Sequence, residues 1–340
     1  MITTLGRILA IALLGLPTFV VSAGVDRLIR HLESVSTSES HAYRLRDDKR
    51  RPMDCLKLFQ AGDGQYMGLY HTLRKGVFSI HLAHSTDLLH WARVKSLDAH
   101  ASQPTIWQCD NGAYFLAYEK DAPNSCWIRL LRYYDDLANL CDGDFKRQFD
   151  IPRTLAPTAE GTPSFESVRL TENMLGKSEI RIRFHYYKDA HVDRLAKGTL
   201  TNFESWRAEC SEQINAELEK RGSTGNFGDR DKFMWNGKSF YLQEVQHRRG
   251  DWSSWRVFLC DDRGMPIKRL SINTHSESTA FANPTATWVT DSMGRGKLVV
   301  TLFLPSEGNS PKEAGELIYV IDPYREMKDG YDESETEGNR

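Results

Sequence analysis

Gly228-Asp229-Arg230-Asp231-Lys232-Phe233-Met234-Trp235-Asn236-Gly237-Lys238-Ser239-Phe240-Tyr241-Leu242-Gln243-Glu244 is a charged lead-in, a short apolar strand, an Asn-Gly turn and a second strand ending on an acid. Two apolar runs joined by Asn-Gly are the strongest short-range hairpin signal, because the tight turn needs positive φ at both central residues. The phrase returns. Met53-Asp54-Cys55-Leu56 leads through Gly62-Asp63-Gly64 to Tyr66-Met67-Gly68-Leu69-Tyr70-His71. Gln103-Pro104-Thr105-Ile106-Trp107 leads through Asn111-Gly112 to Tyr114-Phe115-Leu116-Ala117-Tyr118-Glu119. Gly161-Thr162-Pro163-Ser164-Phe165 leads to Ile180-Arg181-Ile182-Arg183-Phe184-His185, and Asn283-Pro284-Thr285-Ala286-Thr287-Trp288 to Leu298-Val299-Val300-Thr301. Five copies, 52 to 66 residues apart, predict an all-β chain folded as a five-bladed β-propeller with about four strands per blade.

The ends frame that repeat. One arginine, Arg7, precedes the apolar run from Ile8 to Val21, which closes on Ser22-Ala23, the pattern of a secretory signal peptide over residues 1–23. The run is too short to span a bilayer, so the expected protein is secreted, extracellular or periplasmic, with no membrane partner. Residues 24–42 form a helix and linker, with Val25, Leu28, Ile29 and Leu32 at helical spacing. The propeller takes residues 43–323. A strand from 40–51 is needed to seal the last blade, because no fourth strand follows Ile321. Residues 324–340 are acidic and polar and form a disordered tail. A net charge of −2 implies no nucleic-acid partner, and a monomer is expected. The six cysteines fit no zinc spacing; a pair within the second blade and free thiols are both open.

Tyr70-His71-Thr72 followed by Ala83-His84-Ser85-Thr86-Asp87-Leu88-Leu89-His90-Trp91 resembles the first blade of the five-bladed glycoside hydrolases of family 43 and related arabinofuranosidase- and levanase-type propellers. In that family an Asp at the start of the first inner strand is the general base and the Glu of a Glu-Gly-Pro in the third blade is the general acid. The resemblance therefore implies Asp54 as base and Glu160 as acid. The chain departs from the pattern: Pro52 precedes Asp54, Thr162 separates Gly161 from Pro163, and Gln103 stands where the family has a pKa-tuning Asp.

The residues themselves point the same way. Antiparallel pairing puts the start of a blade's first strand beside the end of its second. The starts contribute Asp54, Gln103, Glu160, Asp229, Arg230, Asp231 and Asn283, and the ends His71, Glu119, His185 and Glu244. A ring of acids and histidines around one mouth suits glycosidic cleavage, in which one carboxyl protonates the leaving oxygen and another activates water. Asp229 and Asp231 belong to the expected catalytic set, with His71, Gln103, Glu119, His185, Arg230, Glu244 and Asn283 on the substrate. Bland alternatives stand beside this. Asp229 and Asp231 pair with Arg230, Glu119 and Glu244 hold neighbouring backbone amides, and Glu166 takes the place of Glu160. No ligand spacing demands a metal, so no cofactor is expected; a calcium ion in the funnel is compatible with the acids but nothing indicates one. The expected function is a secreted glycoside hydrolase acting on a glycan, with a non-catalytic carbohydrate-binding propeller as the alternative.

Overall fold

The computed structural model describes residues 23–62, 65–122 and 126–324. Apart from Ala23, the signal-peptide expectation falls on residues outside that set, as does nearly all of the expected tail. Helix α1 (Ala23–Glu33) and strand β1 (Ser40–Ala42) come first. The first blade is β2 (Asp54–Gln60), β3 (Tyr66–Arg74), β4 (Val77–Ser85) and β5 (Ala92–Ala99). The second is β6 (Ala101–Gln108), β7 (Tyr114–Ala122), β8 (Cys126–Tyr134) and β9 (Arg147–Ile151), with α2 (Leu137–Asp142) before β9. The third is β10 (Glu160–Leu170), β11 (Ser178–Lys188), β12 (Val192–Thr201) and β13 (Ser205–Cys210), followed by α3 (Glu212–Lys220). The fourth is β14 (Phe227–Trp235), β15 (Lys238–Gln246), β16 (Trp255–Cys260) and β17 (Pro266–Arg269). The fifth has β18 (Ala282–Thr290), β19 (Gly296–Leu304) and β20 (Gly315–Ile321).

Every blade is a four-stranded antiparallel meander, and β1 pairs with β20 as the outer strand of the fifth. Ser40 faces Val320, and the Glu39 N–H donates to the Val320 carbonyl at 2.9 Å. The N-terminal segment thus removes the exposed sheet edge that β20 would otherwise present. The Asn-Gly turn behaves as the sequence requires: Asn236 and Gly237 have φ of 48° and 75°, and Trp235 pairs with Lys238 across it.

Each inner strand starts with a bulge in its pairing. In four blades a bulge residue is left-handed: Cys55 (φ 56°), Gln103 (52°), Thr162 (43°) and Asn283 (47°). A bulge frees backbone groups from the ladder and bends the strand. Here the freed N–H groups turn toward the preceding blade.

Apolar clusters fill the junctions between blades. Leu28 and Leu32 of α1 join Trp235, Leu317 and Tyr319 where the fourth and fifth blades meet. Leu56, Tyr70, Val299 and Ile318 fill the junction of the fifth and first, and Leu69, Leu82, Leu116 and Tyr118 that of the first and second. Phe115, Leu131, Ile180 and Ile182 join the second and third. Leu195, Leu218, Phe227 and Tyr241 join the third and fourth, where Arg183, Glu166 and Arg230 also meet Tyr241. Among the described cysteines, Cys55, Cys109, Cys141, Cys210 and Cys260 are free thiols.

Candidate active site

The mouth of the propeller is built from the bulges and from the ends of the second strands, and cross-strand register brings them together. Asp54 faces His71, Ser102 faces Glu119, and Gly161 faces His185. An acceptor from one blade then captures the bulge amide of the next. His71 Nδ1 takes the Gln103 N–H at 3.2 Å. Glu119 takes the Thr162 N–H and hydroxyl at 2.5 and 2.8 Å. Glu244 takes the Asn283 N–H at 2.5 Å through Oε2 and the Asp229 N–H at 2.7 Å through Oε1. Between the fifth and first blades the place facing Ala282 is held by Phe303, and the acceptor comes instead from β20. There Glu316 takes the Cys55 and Leu56 N–H groups at 3.0 and 3.1 Å. Two glycines make room for these carboxylates: a Cβ on Gly161 would lie 2.3 Å from Glu119 Oε1, and one on Gly228 1.9 Å from Glu244 Oε1. Glu119 and Glu244 therefore hold neighbouring amides, the second of the two roles open to them from sequence.

The step from third to fourth blade has no such bond. His185 is buried, its Nδ1 has no hydrogen-bond partner among the described residues, and its Nε2 lies 3.7 Å from Asp193.

Four acids of this ring are raised above the ordinary carboxylate range. Asp54 is partly exposed and no described residue donates to its carboxylate; burial pushes its pKa up to about 6 against a weak pull from Arg46. Burial lifts Glu244 to about 7, although two backbone N–H groups favour its anion. Asp229 is raised well above the ordinary carboxylate range by burial and by the charges of Glu244 and Asp231, and Glu316 by burial and by Asp54. His71 is held neutral, pushed down to about 3 by burial and by His81.

Two bonds cross the axis. Lys57 on the first blade grips both carboxylate oxygens of Asp231 on the fourth at 2.5 and 2.6 Å, and the Ala286 N–H donates to the same group at 2.9 Å. Asn283 Nδ2 on the fifth blade donates to Gln103 Oε1 on the second at 3.0 Å. These blades are not neighbours in the ring, so each bond spans the central channel. The Gln103/Asn283 bond leaves the first blade with Asp54 on one side and the third and fourth with Asp229 on the other.

Glu160 is not at the mouth. Its side chain is wholly buried, with Oε2 on Arg129 Nη2 at 2.5 Å and Oε1 accepting from the backbone of Thr154, Leu155 and Ala156. Arg129 in turn stacks on Phe184, 3.8 Å from the ring centre, and burial lowers it to about 10. Glu166, the substitute considered from sequence, is bound to Arg183 at 2.7 Å and to the Tyr241 hydroxyl at 3.2 Å. Arg230 pairs with neither Asp229 nor Asp231. Strand alternation turns it to the other face of β14, where Nε and Nη2 donate to Gln243 Oε1 at 2.8 and 2.5 Å and burial lowers it to about 9. Glu316 and Lys57 escaped the sequence reading. Glu316 lies on a third strand, outside the start-and-end rule, and Lys57 is an inner-strand cation whose partner is 174 residues away. Among the described residues no three acids, histidines or cysteines converge to hold a metal ion.

No protein-family model matches the chain, and no curated protein matches it in sequence. Solved structures do. A thermostable family-43 glycoside hydrolase superposes with a TM-score of 0.51 at 9% identity, covering 82% of this chain and 92% of that one. The fold is that of the family-43 propellers. The GH43_1 enzyme from Xanthomonas citri, complexed with xylose, gives 0.51 at 11% identity over 86% and 92%. The RS223 β-xylosidase gives 0.50 at 9% over 83% and 95%. The five-bladed architecture expected from the repeat is thus shared with glycoside hydrolases at identities that speak to fold and not to chemistry.

Proposed function

We propose that the protein is a secreted glycoside hydrolase that works at the propeller mouth with Asp54 as general base and Asp229 as general acid. The observation that carries this is Asp54: an unpaired, partly exposed carboxylate in a ring where Glu119, Glu244 and Glu316 are committed to backbone amides. A carboxyl at about 6 is ionised at neutral pH and basic enough to take a proton from water. Asp229, raised well above the ordinary carboxylate range by burial and by the charges of Glu244 and Asp231, keeps the proton a leaving oxygen needs. The Gln103/Asn283 bond lies between the two, and a sugar's hydroxyls can replace one amide with another donor and acceptor. Opening it admits the ring between base and acid. Glu160 has no part in proton transfer.

A specific observation favours the second reading, a non-catalytic carbohydrate-binding propeller: the carboxylate that the family's pattern assigns as acid is locked to Arg129. Turnover of a glycan panel headed by xylosides, in wild type and Asp54→Asn, separates the two. Hydrolysis predicts a fall of about 10²–10⁴-fold in kcat on removing the base, with binding retained. A binder releases no sugar from any glycan in either form.

A further inference from the structure

The junction between the third and fourth blades lacks the amide latch, and a polar cleft opens on the surface of the third blade that carries Arg183, the residue set against Tyr241 of the fourth. This cleft, of about 550 Å3, is lined by the strands of the third blade. Register explains its lining. Arg181 faces Thr199 and Thr199 faces Arg207, while Arg183 faces Lys197 and Lys197 faces Glu209. Strand alternation therefore puts Arg181, Arg183, Lys197 and Arg207 on one surface, while Ile180, Ile182 and Leu200 turn into the core shared with the second blade. Four cations share the cleft with two acids, Glu166 and Glu209. Glu166 is taken by Arg183 at 2.7 Å and Glu209 by Lys197 at 3.0 Å. Arg181 leans on Glu179 at 3.2 Å, and Arg207 has no ion-pair partner among the described residues. Arg183 is 6% exposed and its Nε has no hydrogen-bond partner among the described residues. Its guanidinium is held 4.5 Å over the Tyr241 ring. Behind it Arg230, also buried, leaves Nη1 without a partner. A buried guanidinium with an unspent donor is costly unless an anion completes it.

We propose that this cleft is a binding site for an oxyanion carried on a saccharide, a carboxylate of a uronic acid unit or a sulfate ester, apart from the mouth. The identity of the carrier rests on the glycan reading of the mouth; the charge preference does not. Arg181 and Arg207 on the rim offer guanidinium forks to the anion, and Arg183, fixed by Glu166 and Tyr241, adds its charge beneath them. A volume of this size holds one or two sugar units.

The test is isothermal titration of the full chain with a neutral xylo-oligosaccharide, an oligogalacturonate, a sulfated oligosaccharide and inorganic sulfate. Wild type should prefer the charged oligosaccharides to the neutral one by roughly tenfold or more, with affinity falling as salt is raised. Arg181→Ser and Arg207→Ser, both exposed and outside the fold's buried network, should each weaken that binding roughly three- to tenfold. Asp54→Asn should leave it unchanged, so that failure at the mouth and failure at the cleft are told apart. Equal affinity for neutral and charged oligosaccharides overturns the proposal, as does binding insensitive to both substitutions. Sulfate ion bound as tightly as its oligosaccharide ester overturns the saccharide part.

Discussion

Glu160→Gln is the substitution that separates a structural lock from a proton donor. The wild-type carboxylate serves four donors: three backbone N–H groups at 2.7, 2.5 and 3.0 Å on one oxygen and Arg129 on the other. The amide keeps the shape. Its carbonyl can serve the three backbone groups, but its NH2 then faces the Arg129 guanidinium, donor against donor. Arg129 has no other anion, and its Nε and Nη1 already lack partners among the described residues. Breaking one side of a fully buried ion pair costs about 3–5 kcal/mol, against a total stability of roughly 5–15 kcal/mol for a domain. At roughly 2 °C or more per kcal/mol, Tm should fall by about 6 °C or more. Adding Arg129→Met removes the stranded charge and should recover part of the loss, a coupling that a double-mutant cycle in urea reads directly. Turnover per folded molecule at low temperature should stay within about twofold of wild type. A Glu160→Gln protein with unchanged Tm and no turnover would refute this and return Glu160 to the role of acid.

The raised carboxyls give stability a pH dependence of definite sign. Asp54 at about 6 and Glu244 at about 7 hold protons that the unfolded chain releases near pH 4, so the folded state loses ground as pH rises from about 4 to 7.5. Urea midpoints should decline over that window, and Asp54→Asn should flatten the lower half, by an amount on the order of 2 kcal/mol. Deleting residues 23–42 removes β1 and the buried Leu28 and Leu32, and leaves β20 as an open edge. The product should aggregate on gel filtration; a monodisperse, cooperatively folding truncation contradicts the closure. Gly228→Ala forces Glu244 from the amides it holds, and a melting point unchanged from wild type would dismiss the latch.

The propeller was legible because its signals are local and repeated: an Asn-Gly turn, Gly-rich hairpins, and apolar strands at regular spacing. Closure was legible by counting, since the last blade lacked a strand. The pairing of Asp54 with His71, and the convergence of Glu119 and Glu244 on the mouth, follow from antiparallel register alone. The direction of a side chain at a strand's first residue does not. Glu160 precedes the bulge, and whether it faces the channel or Arg129 depends on a partner on β8, 31 residues back. Arg230 illustrates the same limit: its neighbours in sequence are acids, yet alternation sends it to Gln243 and Tyr241. The cationic cleft was hidden for a related reason, since Arg181, Arg183, Lys197 and Arg207 gather only when three strands are in register.

The most direct test of the central claim is the pH dependence of glycan hydrolysis by wild type and Asp54→Asn. Hydrolysis at the mouth predicts release of reducing sugar from at least one glycan, with kcat/KM rising through a pKa near 6. In Asp54→Asn the rate falls by about 10²-fold or more while the Glu160→Gln rate per folded molecule persists. Wild-type turnover that survives in Asp54→Asn, or a complete absence of turnover in a chain that still binds the same sugars, contradicts it.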